Sequence, residues 1–101
     1  MMNDTIFVTA ELKMKTQLSR ESVIEAIEQF CVDMQAEEGC LQAMATYDEK
    51  TPDRVILWER YKNRAAIDAH FAMPHTQAFI ASDVTSLVQV FETHQAGEAA
   101  E

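Results

Sequence analysis

The stretch Val55–His75, VILWERYKNRAAIDAHFAMPH, is the part of this sequence that most restricts its fold. It reads as a strand, a tight turn and a short helix stopped by a proline. In Val55–Tyr61 successive side chains fall on opposite faces, so Val55, Leu57, Glu59 and Tyr61 share one face and Ile56, Trp58 and Arg60 the other. Both sets begin apolar, which calls for a sheet with both faces at least partly covered. Lys62-Asn63 is the turn, with Asn63 a helix N-cap. Arg64–Met73 is a run of good helix formers, and Pro74 ends it because proline disfavours helical geometry in the residue before it. Ala66, Ile67, His70 and Phe71 fall on one stripe of that helix, so His70 points inward. The same stretch holds the single Trp, one of the two Tyr and two of the three His. A strand carboxylate and phenol beneath a helix imidazole make a polar patch in an apolar cavity.

The flanking elements follow from the same periodicities. Ile6–Met14 alternates as a strand, with Ile6, Val8, Ala10, Leu12 and Met14 on one face. Ser19 is an N-cap, with Leu18 and Val23 in the staple positions around it. Val23, Ile27, Phe30, Cys31 and Met34 then form an amphipathic stripe. Glu21, Glu25, Glu28, Gln35 and Glu37 read as its solvated outer side, and Gly39 as a left-handed C-terminal cap. Cys40–Asp48 is a second strand, with Leu41, Ala43, Ala45 and Tyr47 expected on one face. Asp48–Asp53 is a hairpin loop by composition. His75–Val84 reads as another short helix with Phe79 and Ile80 inward, and Leu87–His94 as the last strand. Residues 1–94 form a single domain in this reading, followed by a short disordered acidic tail, 95–101.

The resulting order, βαββα(α)β, is that of an α+β, ferredoxin-like sandwich with its helices on one face of a four-stranded sheet. The other face carries Trp58 and further apolar residues. An uncovered apolar face predicts self-association, most simply as a sheet-to-sheet homodimer.

Composition narrows the partners. The net charge of −9 argues against nucleic acid, whose phosphates need clustered Lys and Arg, and against anionic membranes. No basic, apolar leader opens the sequence and no run is long enough to span a bilayer. Cys31 and Cys40 are too few for a secreted disulfide framework, so a cytoplasmic location with reduced thiols is expected.

Element order and local motifs together resemble the antibiotic biosynthesis monooxygenase (ABM) domain, a family of small dimeric α+β barrels. The likeness spans roughly Ile6 to His94. Its marks are Glu38-Gly39-Cys40-Leu41, close to a Glu-Pro-Gly-Cys type motif leading into the second strand; Glu59-Arg60-Tyr61, where Glu, any residue, then Trp or Tyr is usual; Ala65-Ala66 and His70; then Pro74-His75 and Phe79. Glu38 replaces the usual proline. Tyr61 stands where Trp is common, and Trp58 lies three residues earlier. The resemblance implies cofactor-independent oxygenation of a quinol or anthrone. A related branch isomerises a phosphorylated sugar fragment, and other members have no known activity. A haem-degrading branch shares the fold, but its strand-three Trp is Tyr61 here and its strand-one Asn is missing.

His70 is then the candidate general base and Glu59 the group that orients it or takes a proton itself. The plainer readings are a core histidine bonded to a backbone carbonyl, and a Glu59 ion pair with Lys62 or Arg64. Candidate substrate contacts are Tyr61, His75, Trp58 and Phe79. His94 has no expected role. No metal is expected, because His70 and His75 are five apart across a proline break and the cysteines lack ligand spacing. Three functions stay open: a cofactor-free monooxygenase of an electron-rich aromatic, an isomerase of a small phosphorylated carbonyl compound, and a ligand-binding dimer without turnover.

Overall fold

The computed structural model describes residues 4–96. The chain runs β1 (Ile6–Met14), α1 (Arg20–Gln35), β2 (Cys40–Tyr47), β3 (Arg54–Tyr61), α2 (Arg64–Ala72), α3 (Pro74–Ser82) and β4 (Thr85–Thr93). The strands form one antiparallel sheet in the order β2-β3-β1-β4, the α+β ferredoxin-like arrangement. Most of the expected acidic tail, 97–101, lies outside the described residues. Among those described, no helix is long and apolar enough to cross a membrane.

The local signals act as their chemistry dictates. Ser19 caps α1 by accepting from the Ser22 amide at 3.1 Å, and Asn63 caps α2 by accepting from Ala66 at 2.8 Å. Pro74 ends α2 at Ala72 and also starts α3 as its first residue, where its missing N–H costs nothing. The α1 stripe of Val23, Ile27, Phe30, Cys31 and Met34 packs on the inner sheet face. There it meets Ile6, Val8, Ala10, Leu12 and Met14 of β1 and Val55, Leu57 and Tyr61 of β3.

Three expectations need correction. Gly39 is not a helix cap: α1 ends at Gln35, with Ala36 in right-handed geometry as its C-cap. Gly39 is needed for space, because a Cβ there would collide with the Cβ of Ala66 on α2. Glu37 is not on the solvated side of α1. It lies beyond the helix, where the chain turns inward, and is buried. Leu41 does not share a face with Ala43. A bulge between Cys40 and Gln42 breaks the alternation, so Cys40 and Ala43 face inward and Leu41 faces out.

Among the described residues, the other sheet face has no covering layer. Met44, Trp58, Thr9 and Phe91 lie side by side across its four strands. Three of them are large apolar side chains left exposed. On the helix side, no helix packs closely on β4.

Candidate active site

The gap between α2, α3 and the uncovered inner face of β4 is a cavity of about 450 Å³. Its walls are apolar: Val8, Ala10 and Leu12 of β1, Phe30 of α1, Phe79 of α3 and Val90 of β4. Of the polar side chains that line it, Glu59, Tyr61, His70 and Thr76 are buried, whereas Asp83, Thr85, Ser86 and Glu92 are accessible. Phe71 and Ile80, expected inward, sit at its rim, where both stay more than half exposed because no element packs over them.

Three elements, β3, α2 and α3, position the buried polar groups. Glu59 and Tyr61 come from alternate residues of β3 and so face the same way. The Tyr61 hydroxyl donates to Glu59 Oε1 at 2.6 Å and lies 3.9 Å from the Met34 sulfur. His70 comes from the inward stripe of α2, between the rings of Phe30 and Tyr61 at centroid distances of 5.9 and 5.4 Å. Its Nδ1 sits 2.9 Å from Glu37 Oε2, and the Thr76 hydroxyl is 3.3 Å from the same nitrogen. His75 reaches the same carboxylate oxygen through Nε2 at 2.6 Å. An ionised carboxylate only accepts, so both rings donate to Glu37. With Nδ1–H donating, the neutral His70 ring keeps its lone pair on Nε2, the nitrogen that does not face Glu37.

The sequence expectation is therefore redistributed. His70 is inward and on the cavity, but its orienting carboxylate is Glu37, not Glu59. Glu59 bonds to Tyr61 and makes no ion pair with Lys62 or Arg64, which pair with Glu38 and Glu92. The plainer reading of His70, a ring tied to a backbone carbonyl, fails because its partner is a buried side-chain carboxylate. Phe79 lines the cavity and stacks on Phe30 at 4.3 Å. His75 stands behind His70 on Glu37, away from the cavity. Trp58 is on the opposite face of the sheet, where its Nε1 donates to Thr46 at 2.8 Å. His94 binds the Thr5 carbonyl at 3.0 Å, outside the site. Helical periodicity hid Glu37 by carrying the α1 face two residues too far. The motif could have revealed it. With Glu38 in the proline position of Glu-Pro-Gly-Cys, the motif's glutamate is Glu37.

Burial dominates the electrostatics. It raises the Glu59 carboxyl toward its neutral form; the Tyr61 hydrogen bond and nearby His70 oppose that rise, and Glu37 adds to it. Burial, followed by the charge of Glu59, pushes the Tyr61 phenol far up, so it stays protonated and its proton is committed to Glu59. The cavity is thus lined by an imidazole with one free lone pair and by a carboxyl–phenol pair. It can take a proton from a bound ligand and hydrogen-bond a second ligand oxygen.

Residues 5–82 match the family model described as antibiotic biosynthesis monooxygenase. This chain belongs to that family. The family includes monooxygenases, which fits an apolar cavity with a few convergent polar groups. An uncharacterised Synechocystis protein, sll1783, is 30% identical over 77% of this chain, which spans only about half (52%) of that relative. The uncharacterised Bacillus subtilis protein YjcS is 27% identical over 69% of this chain and 67% of its own length. The solved structure of protein YJCS superposes with a TM-score of 0.83 at 22% identity, covering 91% of this chain and 99% of that one. A structure described as an antibiotic biosynthesis monooxygenase gives a TM-score of 0.79 at 21% identity, covering 90% and 98%. These superpositions establish the shared fold.

Proposed function

We propose that this ABM-family chain is a cofactor-independent monooxygenase of quinols, anthrones or similar electron-rich aromatics, acting as a homodimer. The observation that carries the reading is the Glu37-anchored His70 imidazole at the wall of an apolar cavity. The substrate ring would lie among Phe30, Phe79 and Val90. His70 Nε2 would take the proton, and the Glu37 carboxylate would stabilise the imidazolium across the ring. The neutral form of Glu59, favoured by burial, can donate to the oxygen that gains charge while Tyr61 holds it in place. The substrate anion then passes one electron to O2, and the radical pair combines at carbon. Loss of water from the peroxide leaves one oxygen atom on the substrate. For an anthrone the balance is a CH2 and O2 giving C=O and H2O.

Cavity chemistry favours this over isomerisation of a phosphorylated carbonyl compound. The acidic side chains lining the cavity are Glu59, Asp83 and Glu92, and no Lys or Arg lines it to meet a phosphate. The nearby Arg64 is already engaged by Glu92 at 2.8 Å. The homodimer rests on the exposed Met44–Trp58–Phe91 row and on the unpaired edge of β4, both of which a second copy would cover.

The test is oxygen uptake by metal-stripped protein with a panel of hydroquinones and anthrones, with autoxidation subtracted. Uptake above background should fall by about 10²–10⁴-fold in His70→Ala. Equal uptake by wild type and variant would remove His70 from the reaction. No enzyme-dependent uptake, with solvent deuterium entering a phosphorylated ketone instead, would replace the oxygenase with the isomerase.

A further inference from the structure

The meeting of two imidazoles on one buried carboxylate has a use outside proton abstraction. Glu37 Oε2, His70 Nδ1 and His75 Nε2 all lie within 4.8 Å of one another. Two of these side chains are almost fully buried, and His75 is the one that reaches solvent, at 24% exposed. Two imidazoles and a carboxylate are a donor set that zinc and cobalt accept readily. The spacing suits them too. Ligand atoms about 2.0–2.2 Å from a tetrahedral ion stand roughly 3.3–3.5 Å apart. The contacts here are 2.9 and 2.6 Å. With each N–H proton moved to the other nitrogen of its ring, one ion can take the vacated position; each nitrogen then draws back from Glu37 by less than about 1 Å, and the two nitrogens, within 4.8 Å of each other, close to the same spacing. His75, on the first turn of α3 and open to solvent, is the ligand free to make that shift. There is also a way in. Glu37 borders a second, outer depression of about 250 Å³, formed with Lys62, Asn63 and Met73 and separate from the main cavity.

We propose that Glu37, His70 and His75 form a site for one divalent transition-metal ion of the zinc or cobalt type, entered from the outer depression, and that filling it silences His70. Three protein ligands leave one coordination position for water. The consequence for His70 is simple bond counting. An imidazole that binds a metal through Nδ1 carries its proton on Nε2, so that nitrogen becomes a donor and cannot accept a proton from a ligand. Binding itself goes beyond the oxygenase reading; only the silencing rests on it.

Metal-free protein would be titrated with zinc against a chromophoric chelator, and with cobalt by visible absorption. The expected result is one zinc per chain and a tetrahedral cobalt spectrum without thiolate charge-transfer bands, since Cys31 and Cys40 are not ligands. His75→Ala and Glu37→Gln should each weaken zinc binding more than about tenfold. Circular dichroism would confirm that both variants fold. His75→Ala decides the matter should Glu37→Gln unfold, because its side chain is partly exposed. Absence of stoichiometric zinc uptake by wild type, or uptake unchanged in His75→Ala, overturns the site. Oxygen uptake before and after zinc loading is read separately. Loss of turnover on loading, reversed by chelation, supports the silencing. Full turnover by protein carrying one zinc on these ligands overturns the silencing alone.

Discussion

β1 and β4 are neighbours in one sheet, equal in length and both rich in apolar residues, yet they have opposite fates. β1 alternates between buried and accessible along its length, whereas β4 has no fully buried residue. Leu87 and Val90 of β4 pair with Leu12 and Ala10 of β1. The β1 residues are in the core, and the β4 residues are among the most exposed apolar side chains of the molecule. The difference lies in what covers them. α1 and α2 lie toward the β2 and β3 side of the sheet, which leaves the β4 side open and creates the cavity. One half of the molecule therefore buries its apolar surface in the core, and the other half leaves its apolar surface uncovered among the described residues.

The largest expected effect tests the packed half. Ile27 has no exposed surface. Ile27→Ala should cost about 2–5 kcal/mol, from lost burial and the cavity left behind. Leu87→Ala, with its side chain largely in solvent, should change the stability of the monomer by less than about 0.5 kcal/mol. Urea denaturation of both variants at low protein concentration checks the contrast. Equal costs would mean that β4 is as tightly packed as α1.

The second prediction tests the open half. Phe91→Glu places a charge in the exposed apolar row without touching the core. It should weaken self-association by about 2 kcal/mol or more, the scale of an interface anchor, with little change in the fold of each chain. Sedimentation velocity across a dilution series would show the mass falling toward that of one chain. A wild type that remains a monomer at high concentration removes the proposed dimer and leaves β4 open to some other covering partner.

The same contrast explains what the sequence made legible. Element order, the α1 stripe, both side-chain N-caps and the proline break came from residues whose neighbours in sequence decide their state. His70, Glu59 and Tyr61 could be placed on one cavity because a strand and a helix joined by a tight turn leave little choice of geometry, and Phe79 followed from the inward face of the next helix. Glu37 could not be read from periodicity, since its burial depends on where α1 stops and on histidines more than thirty residues away. The His75 contact was hidden for the same reason. Spacing along one helix says nothing about two helices that bend at Pro74. Trp58 was misassigned to the substrate because alternation tells which residues share a face and not which face the helices cover. The bulge at Cys40–Gln42 left no mark in the alternation of apolar residues.

A third, smaller effect tests a contact joining the two halves. Gly39 sits where the turn after α1 passes beneath α2, and Gly39→Ala would drive a methyl group into Ala66. The expected cost is about 1–3 kcal/mol, because backbone must move to make room. Ala66→Gly removes the opposing methyl, so combining the two substitutions should cost less than the sum of the two alone. Additive costs in a double-mutant cycle would mean that the two residues do not touch.

The smallest effect concerns the thiols, and it separates the halves by reactivity. Cys31 and Cys40 lie on the packed side, both buried. Burial pushes the Cys31 thiol up from its ordinary 9.0 to about 12, with Glu28 and Glu59 adding to the rise, and the Cys40 thiol up to about 11. Because the thiolate is the nucleophile, the folded protein should hold about a hundredfold less reactive Cys40 than an unfolded chain at the same pH, and still less reactive Cys31. Iodoacetamide at pH 8 should leave both unlabelled in the native protein and label both in urea. Stability follows from the same shift. Below about pH 9 both thiols are protonated in either state and contribute no pH dependence. As pH rises toward about 11–12, the unfolded chain gives up its thiol protons while the folded one keeps them. The unfolded state then binds fewer protons, so stability falls across that window. Replacing both cysteines with alanine should flatten this part of the pH profile. An undiminished slope would assign it to other groups, such as the Tyr47 phenol, which burial and its hydrogen bond to Glu28 also raise.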